Sequence, residues 1–438
     1  MSAFVADLRI SFMNLVEHGR RSMFLGAAIA AVTCLFVLLT ALSSGIRHTL
    51  LDTATTLTTG HLNVGGFFKV TSGAAGPLVT DYQRIEDLVR KELPELDFIV
   101  HRGRGFGKLI SDRGSTQAGI SGVDIANEPR LRAVLDVYEG NLDELSQPNT
   151  IVLFEQQSKR LDVKVGDAIT ISATTGRGVA NTLDCRVVAL ARDVGLLSSF
   201  NVIVSAESLR ILYQLRPDVT GVIQVYVKPR FVEKLAPVAA HLREILEKAG
   251  YRLMEPDPRA FWFKFQAVSR EDWTGQKLDV TSWEDELSFI MWTYRALQAL
   301  SFILMVILIG IMVAGIMNTL WIAIRERTRE IGTLRAIGMQ KFGVARLFLL
   351  EASMLGVIGA VVGVALGAVV TWLINSANIH VPTSVQLFLM RDTLRLTIEP
   401  VTLVFAVIMI TFVTGAAAIY PSIRAASRKP VDAMAHFG

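Results

Sequence analysis

The sequence predicts an α-helical membrane protein with four transmembrane helices and a large α+β domain inserted between the first and second. Three observations lead there. Of the 438 residues 51% are hydrophobic and only 19% charged, whereas soluble globular chains carry about 25% charged residues. The apolar excess sits in four runs without a charged residue: Ser22–Ile46, Ala296–Ile324, Ala352–Met390 and Pro400–Ile423. Between the first two runs, residues 47–295 alternate strand and helix patterns. The composition excludes disorder, collagen and a disulfide scaffold. A net charge of +4 over this length gives no argument for nucleic acid.

Residues 1–21 carry an amphipathic pattern of Phe4, Val5, Leu8, Phe12, Leu15 and Val16, suited to a helix at the cytoplasmic membrane interface. The first span, 22–46, exceeds the roughly 20 residues that cross ~30 Å of hydrocarbon. Arg20-Arg21 precede it as they would a signal peptide, but the apolar stretch outlasts a signal core of roughly 7–15 residues, which favours a retained anchor. Cys34 inside the run reads as a small lipid- or helix-facing residue, and Cys185 lies too far away in sequence to expect a pair.

In residues 47–295, Thr80-Asp81-Tyr82-Gln83 reads as a capping box opening a helix with Ile85, Leu88 and Val89 inward. Pro94 ends that helix and Phe98-Ile99-Val100 begins a strand. Later come a strand at Val222–Val227, an amphipathic helix over Phe231–Lys248 and a short strand at Tyr251–Met254. These two α/β units flank a β-rich subdomain at about 131–215, with strands expected at Ile151–Leu153, Ala168–Ala173, Cys185–Ala191 and Val202–Val204. Glu255–Phe289 is rich in aromatic residues. They read either as an interfacial belt or as a surface for a greasy substrate.

The second span is 296–324, followed by a coupling region at 325–345. The third span is 346–374, a short connector covers 375–399, the fourth span is 400–423 and the tail is 424–438. Arg9, Arg20 and Arg21 leave the N-terminal segment at +1. Arg325, Arg327, Arg329, Arg335, Lys341 and Arg346 leave the second–third loop at +4, and Arg424, Arg428 and Lys429 leave the tail at +2. The positive-inside bias places these three segments in the cytoplasm and the large domain outside.

Catalytic signatures are missing: there is no H-E-x-x-H, no G-x-S-x-G and no zinc-type cysteine spacing, and the 7 histidines are scattered. Gly103-Arg104-Gly105-Phe106-Gly107-Lys108 lacks the flanking residues of a phosphate loop and reads as a glycine-rich turn. Glu351, a carboxylate at the edge of the third span, is expected to pair with a loop arginine. No helix breaker separates the second span from Arg325–Gly338, so the helix is expected to run on. Ile331, Leu334 and Ile337 give it an apolar stripe for docking on a partner, and Gly338 is its expected C-cap. Gly356, Gly359, Gly363 and Gly367 allow close backbone approach on the third span.

Arg329-Glu330-Ile331-Gly332-x-Leu334-Arg335-Ala336-Ile337-Gly338, followed by Phe348-Leu349-Leu350-Glu351-Ala352, resembles the FtsX/MacB-type permease domain of ABC transporters. So do Tyr420-Pro421-Ser422-x-Arg424-Ala425-Ala426 and Pro430-Val431-Asp432-Ala433. Val163-Lys164-Val165-Gly166-Asp167 resembles a strand–turn of the MacB-like periplasmic core, and Gly60-His61-Leu62-Asn63-Val64 is more similar to the lipoprotein-releasing permeases LolC and LolE. The resemblance implies a bacterial inner-membrane permease with no ATPase site or cofactor of its own. Two copies of a separate ABC ATPase, holding ATP and Mg, would dock on Arg325, Glu326, Arg329, Glu330, Ile331, Leu334, Arg335, Ile337 and Gly338. Only about twenty residues precede the first span, so no fused ATPase is expected there. A second permease chain, identical or paralogous, is implied, with membrane lipid around it and a periplasmic carrier or adaptor as a further partner. Three functions follow: release of lipoproteins or other amphiphilic cargo, MacB-like efflux of toxins, antibiotics or peptides, and FtsX-like mechanotransmission to cell-wall hydrolases.

Overall fold

The computed structural model describes residues 2–17, 19–71, 75–176, 178–381, 386 and 393–427, with backbone alone for 2–6, 196 and 197. In chain order the main helices are α1 (Ser2–Glu17), α2 (Gly19–Thr49), α3 (Tyr82–Glu92), α4 (Glu155–Leu161), α5 (Ala206–Tyr213) and α6 (Leu235–Lys248). After them come α7 (Phe261–Arg270), α8 (Ser288–Glu326), α9 (Thr328–Ala336), α10 (Lys341–Ser376) and α11 (Pro400–Ala426). The main strands are β1 (Leu62–Lys69), β2 (Leu96–Ile110), β3 (Ser115–Val123), β4 (Val137–Gly140) and β5 (Thr150–Phe154). The rest are β6 (Ala168–Thr174), β7 (Ala180–Ala191), β8 (Asn201–Ser205), β9 (Val222–Val227) and β10 (Gly275–Ser282). The chain divides into a helical unit, Met1–His48, Arg295–Ile379 and Leu394–Gly438, and an α/β unit, Thr49–Tyr294 and His380–Thr393.

In the helical unit the four expected spans, 22–46, 296–324, 346–374 and 400–423, lie inside longer helices. Gly19–Leu57 and Ser288–Glu326 have 39 residues each, Lys341–Ser376 has 36 and Pro400–Ala426 has 27. At ~1.5 Å per residue every one is longer than a ~30 Å hydrocarbon layer. Helix α2 passes through a π turn at Leu50–Ala54 before ending at Leu57. The inner faces share one apolar core that includes Leu25, Ile29, Ile316, Leu355 and Ile410. The outer faces leave Trp372, Val401, Phe412 and Ile311 exposed. Of the amphipathic pattern in α1, Leu15 is buried in the core of the bundle, while Leu8, Phe12 and Val16 are exposed. The side chains of Phe4 and Val5 lie outside the described residues.

The α/β unit carries a sheet of order β10-β1-β9-β2-β3-β8-β5-β7-β4, with β6 bridging β2 and β7. Strand β2 holds it together. Its first half pairs with β9 and its second half with β3 and β6. One core lies under α3 and α6, where Ile85, Val89, Leu242 and Leu246 cover Leu62, Val64, Ile223 and Val225. The two flanking α/β stretches therefore make one layer with a common core. The second core starts at Leu109 and Ile120, ahead of residue 131, and continues through Ile151, Ile171, Val187 and Val202 under Leu209. Cys185 belongs to it, and burial pushes its thiol up to about 12.

Three local readings change. Gly103–Lys108 is no turn: it lies inside β2, with its backbone in register against Gln117–Gly122 of β3. Backbone groups committed to a ladder cannot cradle a phosphate. Gly103 and Gly105 leave room for α5, which crosses one face of the strand. A Cβ on Gly103 would lie 2.5 Å from Leu209 Cδ2, and one on Gly105 would lie 2.5 Å from the Tyr213 ring. The capping box at Thr80 does not form. Asp81 takes a left-handed φ of 51°, and the Thr80 N–H and hydroxyl both donate to Gln276 Oε1 at 2.7 and 2.8 Å. Tyr251–Met254 contributes a single bridge, Leu253 to Leu278. Within the aromatic stretch Phe261–Arg270 folds as a helix, α7.

Candidate functional site

The second long helix does not run on unbroken. At Arg327 the backbone turns to φ −95°, ψ 16°, and α9 starts one residue later. Hydrogen bonds from Arg327 N to Ala323 O and from Ile331 N to Arg327 O keep the two helices nearly continuous. The side chain at the break is anchored. Arg327 follows Ile324 by three residues and precedes Ile331 by four, so it falls on the buried face of both helices. There Arg327 Nη1 donates to Glu351 Oε2 at 3.1 Å, with both side chains under a tenth exposed. Arg21 at the start of α2 lies 3.7 Å from the other Glu351 oxygen and 3.2 Å from Glu326. Three segments of chain meet on one carboxylate. A buried pair of this kind costs about 3–5 kcal/mol when one partner is removed.

The residues expected to dock a partner divide by exposure. Arg325, Glu326, Arg329, Glu330, Leu334, Ile337 and Gly338 are exposed, Arg335 is half-buried and Ile331 is buried. Ile331 packs inward on Ile324, Val344, Phe348 and Ala425. The apolar stripe is thus split: Ile331 holds α9 to the bundle, while Leu334 (37% exposed) and Ile337 (81% exposed) face away from it. Gly338 ends the helix at φ 105°, with Met339 N donating to Leu334 O, an arrangement that favours glycine. Arg335 Nη1 donates to Met339 O at 3.3 Å and braces that turn.

The glycines of α10 meet two different helices. A Cβ on Gly359 would lie 2.8 Å from Ile29, one on Gly363 2.5 Å from Ala30 O, and one on Gly367 2.9 Å from Val37, all on α2. One on Gly356 would lie 2.9 Å from Thr414 on α11.

In the α/β unit the end of the first long helix is held by side chains from two strands. Arg102 on β2 donates to Leu57 O at 2.7 Å and to Thr56 O at 2.8 Å, and its guanidinium forms a buried ion pair with Glu128. Tyr226 Oη on β9 donates to Thr55 O at 2.7 Å, and Gln224 donates to Thr58 O at 3.0 Å. The carbonyls left over at a helix C-terminus are thereby satisfied by the sheet. Next to this clamp His61 is buried, and its Nδ1 accepts from Val227 N at 3.1 Å. Burial is the main cause that lowers its pKa to about 4, so the ring is neutral.

Glu351 pairs with a loop arginine as the sequence led us to expect, and that arginine is Arg327, whose spacing from Ile324 and Ile331 puts it on the buried face. Sequence reasoning did not find Arg102 or Glu128. Nothing local marks Arg102 and Glu128, which meet through the sheet. The tail motif Pro430-Val431-Asp432-Ala433, with Arg428 and Lys429, lies outside the described residues.

Four helices long and apolar enough to cross a membrane, a mixed α/β unit and a short charged helix after the second define a class: a multi-span membrane protein carrying a large domain. Comparison with known proteins places it. Residues 302–430 match the FtsX-like permease C-terminal family, and residues 25–245 match the MacB-like periplasmic core domain. The chain belongs to the FtsX/MacB-type family of ABC transporter permeases. It is similar to the ABC transporter permease YtrF of Bacillus subtilis (strain 168), 41% identical over 63 residues, 14% of either chain. It is also similar to the macrolide export ATP-binding/permease protein MacB of Nitrobacter winogradskyi, 40% identical over 121 residues, 28% of this chain and 17% of that one. The chain thus spans 14% and 17% of the length of these curated relatives. Among solved structures, the extracellular domain of the noncanonic ABC-type transporter YknZ from Gram-positive bacteria overlaps 49% of this chain and 98% of its own, at 10% identity and a TM-score of 0.30. The periplasmic region of MacB from Actinobacillus actinomycetemcomitans overlaps 53% and 92%, at 12% identity and a TM-score of 0.30.

Proposed function

We propose that this chain is the membrane subunit of an ATP-driven complex of the bacterial inner membrane, working beside a second permease chain, identical or paralogous. A separate ABC ATPase in two copies holds ATP and Mg and docks on α9. Both termini and α9 lie in the cytoplasm, following the +4 excess of that loop, and the α/β unit lies in the periplasm. The observation that carries the reading is the pair Leu334 and Ile337, apolar and exposed on a short helix whose other flank is bolted to the bundle. Exposed apolar residues at helical spacing, outside an apolar run, fit a helix seated in a partner's groove.

When the ATPase subunits close on ATP they displace α9. The Arg327–Glu351 pair makes α10 follow, and the close glycine contacts pass the motion to α2. At the far end of the first long helix the Arg102 clamp keeps the sheet from slipping on the helix terminus, so movement reaches the α/β unit. Cargo is a lipoprotein or another amphiphile, which the Gly60–Val64 resemblance supports. A second reading, efflux of a small amphiphilic drug through an adaptor, is supported by the macrolide-export name of relatives such as the Nitrobacter protein.

The test of docking is co-purification from native membranes. Leu334→Asp combined with Ile337→Asp should cut the retained ATPase at least about tenfold, a loss of roughly 1.4 kcal/mol. Retention at the unmodified level overturns the reading. Arg335→Glu is a poorer probe, because Arg335 also braces the Gly338 turn. Trapping with a hydrolysis-deficient ATPase then separates the cargo classes: lipoproteins support the first reading, an adaptor the second, and a cell-wall hydrolase would replace both with mechanotransmission.

A further inference from the structure

Helix α7 is built inside out. Its lysine is buried, with Lys264 1% exposed, while Trp262, Phe263 and Phe265 are 43%, 52% and 38% exposed. Lys264 Nζ donates to Asp279 Oδ2 on β10 at 2.7 Å. A second buried lysine, Lys69 on β1, secures the other end. Its Nζ donates to Val268 O at 2.9 Å and to Glu271 O at 2.6 Å, and it lies 4.9 Å from the centre of the Trp273 ring. Two ammonium groups taken out of water thus bolt α7 onto the sheet in one rotational setting, and that setting turns its rings outward. Burying charge while exposing aromatic surface is unfavourable if water is the surroundings. It becomes favourable if the outward face meets an apolar medium.

The surroundings of those rings indicate which medium. Trp262 packs edge-on against Phe289, with centroids 6.2 Å apart. In sequence Phe289 stands seven residues before the uncharged run that begins at Ala296, and Trp292, 74% exposed, stands between them. Tryptophan with other aromatic rings, beside the start of a span, is the composition of a membrane–water interface. We infer that the Trp262–Phe265 face of α7 is a membrane foot, inserted among the headgroups and upper acyl chains of the lipid bilayer. This rests on the reading that the four long helices cross a membrane. An amphipathic helix in that setting buries its apolar face by roughly 5–10 Å.

The test uses the full chain in vesicles of phosphatidylcholine and phosphatidylglycerol, with an environment-sensitive fluorophore on single cysteines. Cys34→Ala supplies the background, and Cys185 can stay because it is buried. Phe263→Cys is the main probe and Gln266→Cys, exposed on the same face, is the second should the first fail to fold. Trp372→Cys on α10 reports the spans, and Val179→Cys, 57% exposed in a hairpin, reports water. Lipids carrying a nitroxide at a shallow acyl position should quench the probe at 263 or 266 at least twofold, quench that at 372, and leave that at 179 bright. If 372 is quenched while 263 and 266 behave like 179, the foot is wrong and the spans stand. If 263 and 266 shift to the blue without lipid quenching, a protein partner covers the face and the foot is likewise wrong. If 372 is not quenched either, the membrane reading fails with it.

Discussion

The helical unit and the α/β unit both use a series of glycines to let a neighbour approach bare backbone, each at the period of its own element. Along α10 the series Gly359, Gly363, Gly367 has a spacing of four, the repeat of one helix face. Along β2 the series Gly103, Gly105, Gly107 has a spacing of two, the repeat of one strand face. What fills the gap differs. On α10 the obstructing atoms include main chain of α2, with Ala30 O 2.5 Å from a Cβ at 363 and Gly26 O 3.1 Å from one at 359. At Gly103 and Gly105 on β2 they are side-chain ends of α5, Leu209 and Tyr213, whereas at Gly107 the nearest is Ser172 O, 2.8 Å away. Main chain in the middle of a helix has nowhere to go, whereas a leucine or tyrosine can swing. The α10 series should therefore tolerate nothing, and the first two β2 positions should be conditional on their partners.

The most severe change follows directly. Gly363→Leu should separate α10 from α2 at a cost of about 3 kcal/mol or more, read as a lower unfolding temperature in detergent and loss of ATP-stimulated turnover. Gly310→Ala on α8, where a Cβ meets nothing within 4 Å, should leave both unchanged. Equal behaviour of the two variants would show that close helix approach is not what the α10 glycines provide.

A smaller effect tests the other half of the comparison. Gly105→Ala should cost about 1–3 kcal/mol, since its methyl would sit 2.5 Å from the Tyr213 ring. In a Tyr213→Ala background the same change should cost almost nothing, giving a coupling energy of at least about 1 kcal/mol. Tyr213→Ala itself is destabilising, because its hydroxyl donates to Phe106 O at 2.8 Å and accepts from Phe106 N at 2.7 Å. The cycle subtracts that loss. Zero coupling would mean that the strand, and not the tyrosine, yields.

The same pair of series explains what the sequence made legible. A glycine every fourth residue inside an uncharged run points to one helix face, because the run has already declared its secondary structure. A glycine every second residue between charged ones looks like a turn, because Arg104 and Lys108 hide the alternation and the partner helix α5 lies about a hundred residues away. The four long helices, most strands and the Gly338 turn were readable from local pattern for that reason. The break at Arg327, the Arg102–Glu128 clamp and the inversion of α7 were not, since each depends on a partner brought in by tertiary structure. Even the docking stripe was only partly readable: spacing grouped Ile331 with Leu334 and Ile337, but packing on Phe348 and Ala425 assigns Ile331 to the bundle.

The smallest expected effect separates the two units by pH. His61, buried beside the helix clamp, has its pKa lowered to about 4 by burial first and by the charge of Arg130 second. In the unfolded chain a histidine titrates near 6.5. Between those values the unfolded state binds the proton and the folded state does not, so stability is full above about 6.5 and is lost as pH falls toward 4. Between pH 7 and 5.5 the loss should be about 1 kcal/mol. The measurement is hydrogen exchange on the full chain, corrected for intrinsic rates, read at the amides of Leu62–Val64 and Ile223–Val225, which pair across β1 and β9. His61→Gln keeps an acceptor for the Val227 N–H and should flatten the dependence there while leaving that of α10 as it was. A slope that persists in His61→Gln would place the titrating group elsewhere in the sheet, and the clamp would then owe nothing to a neutral imidazole.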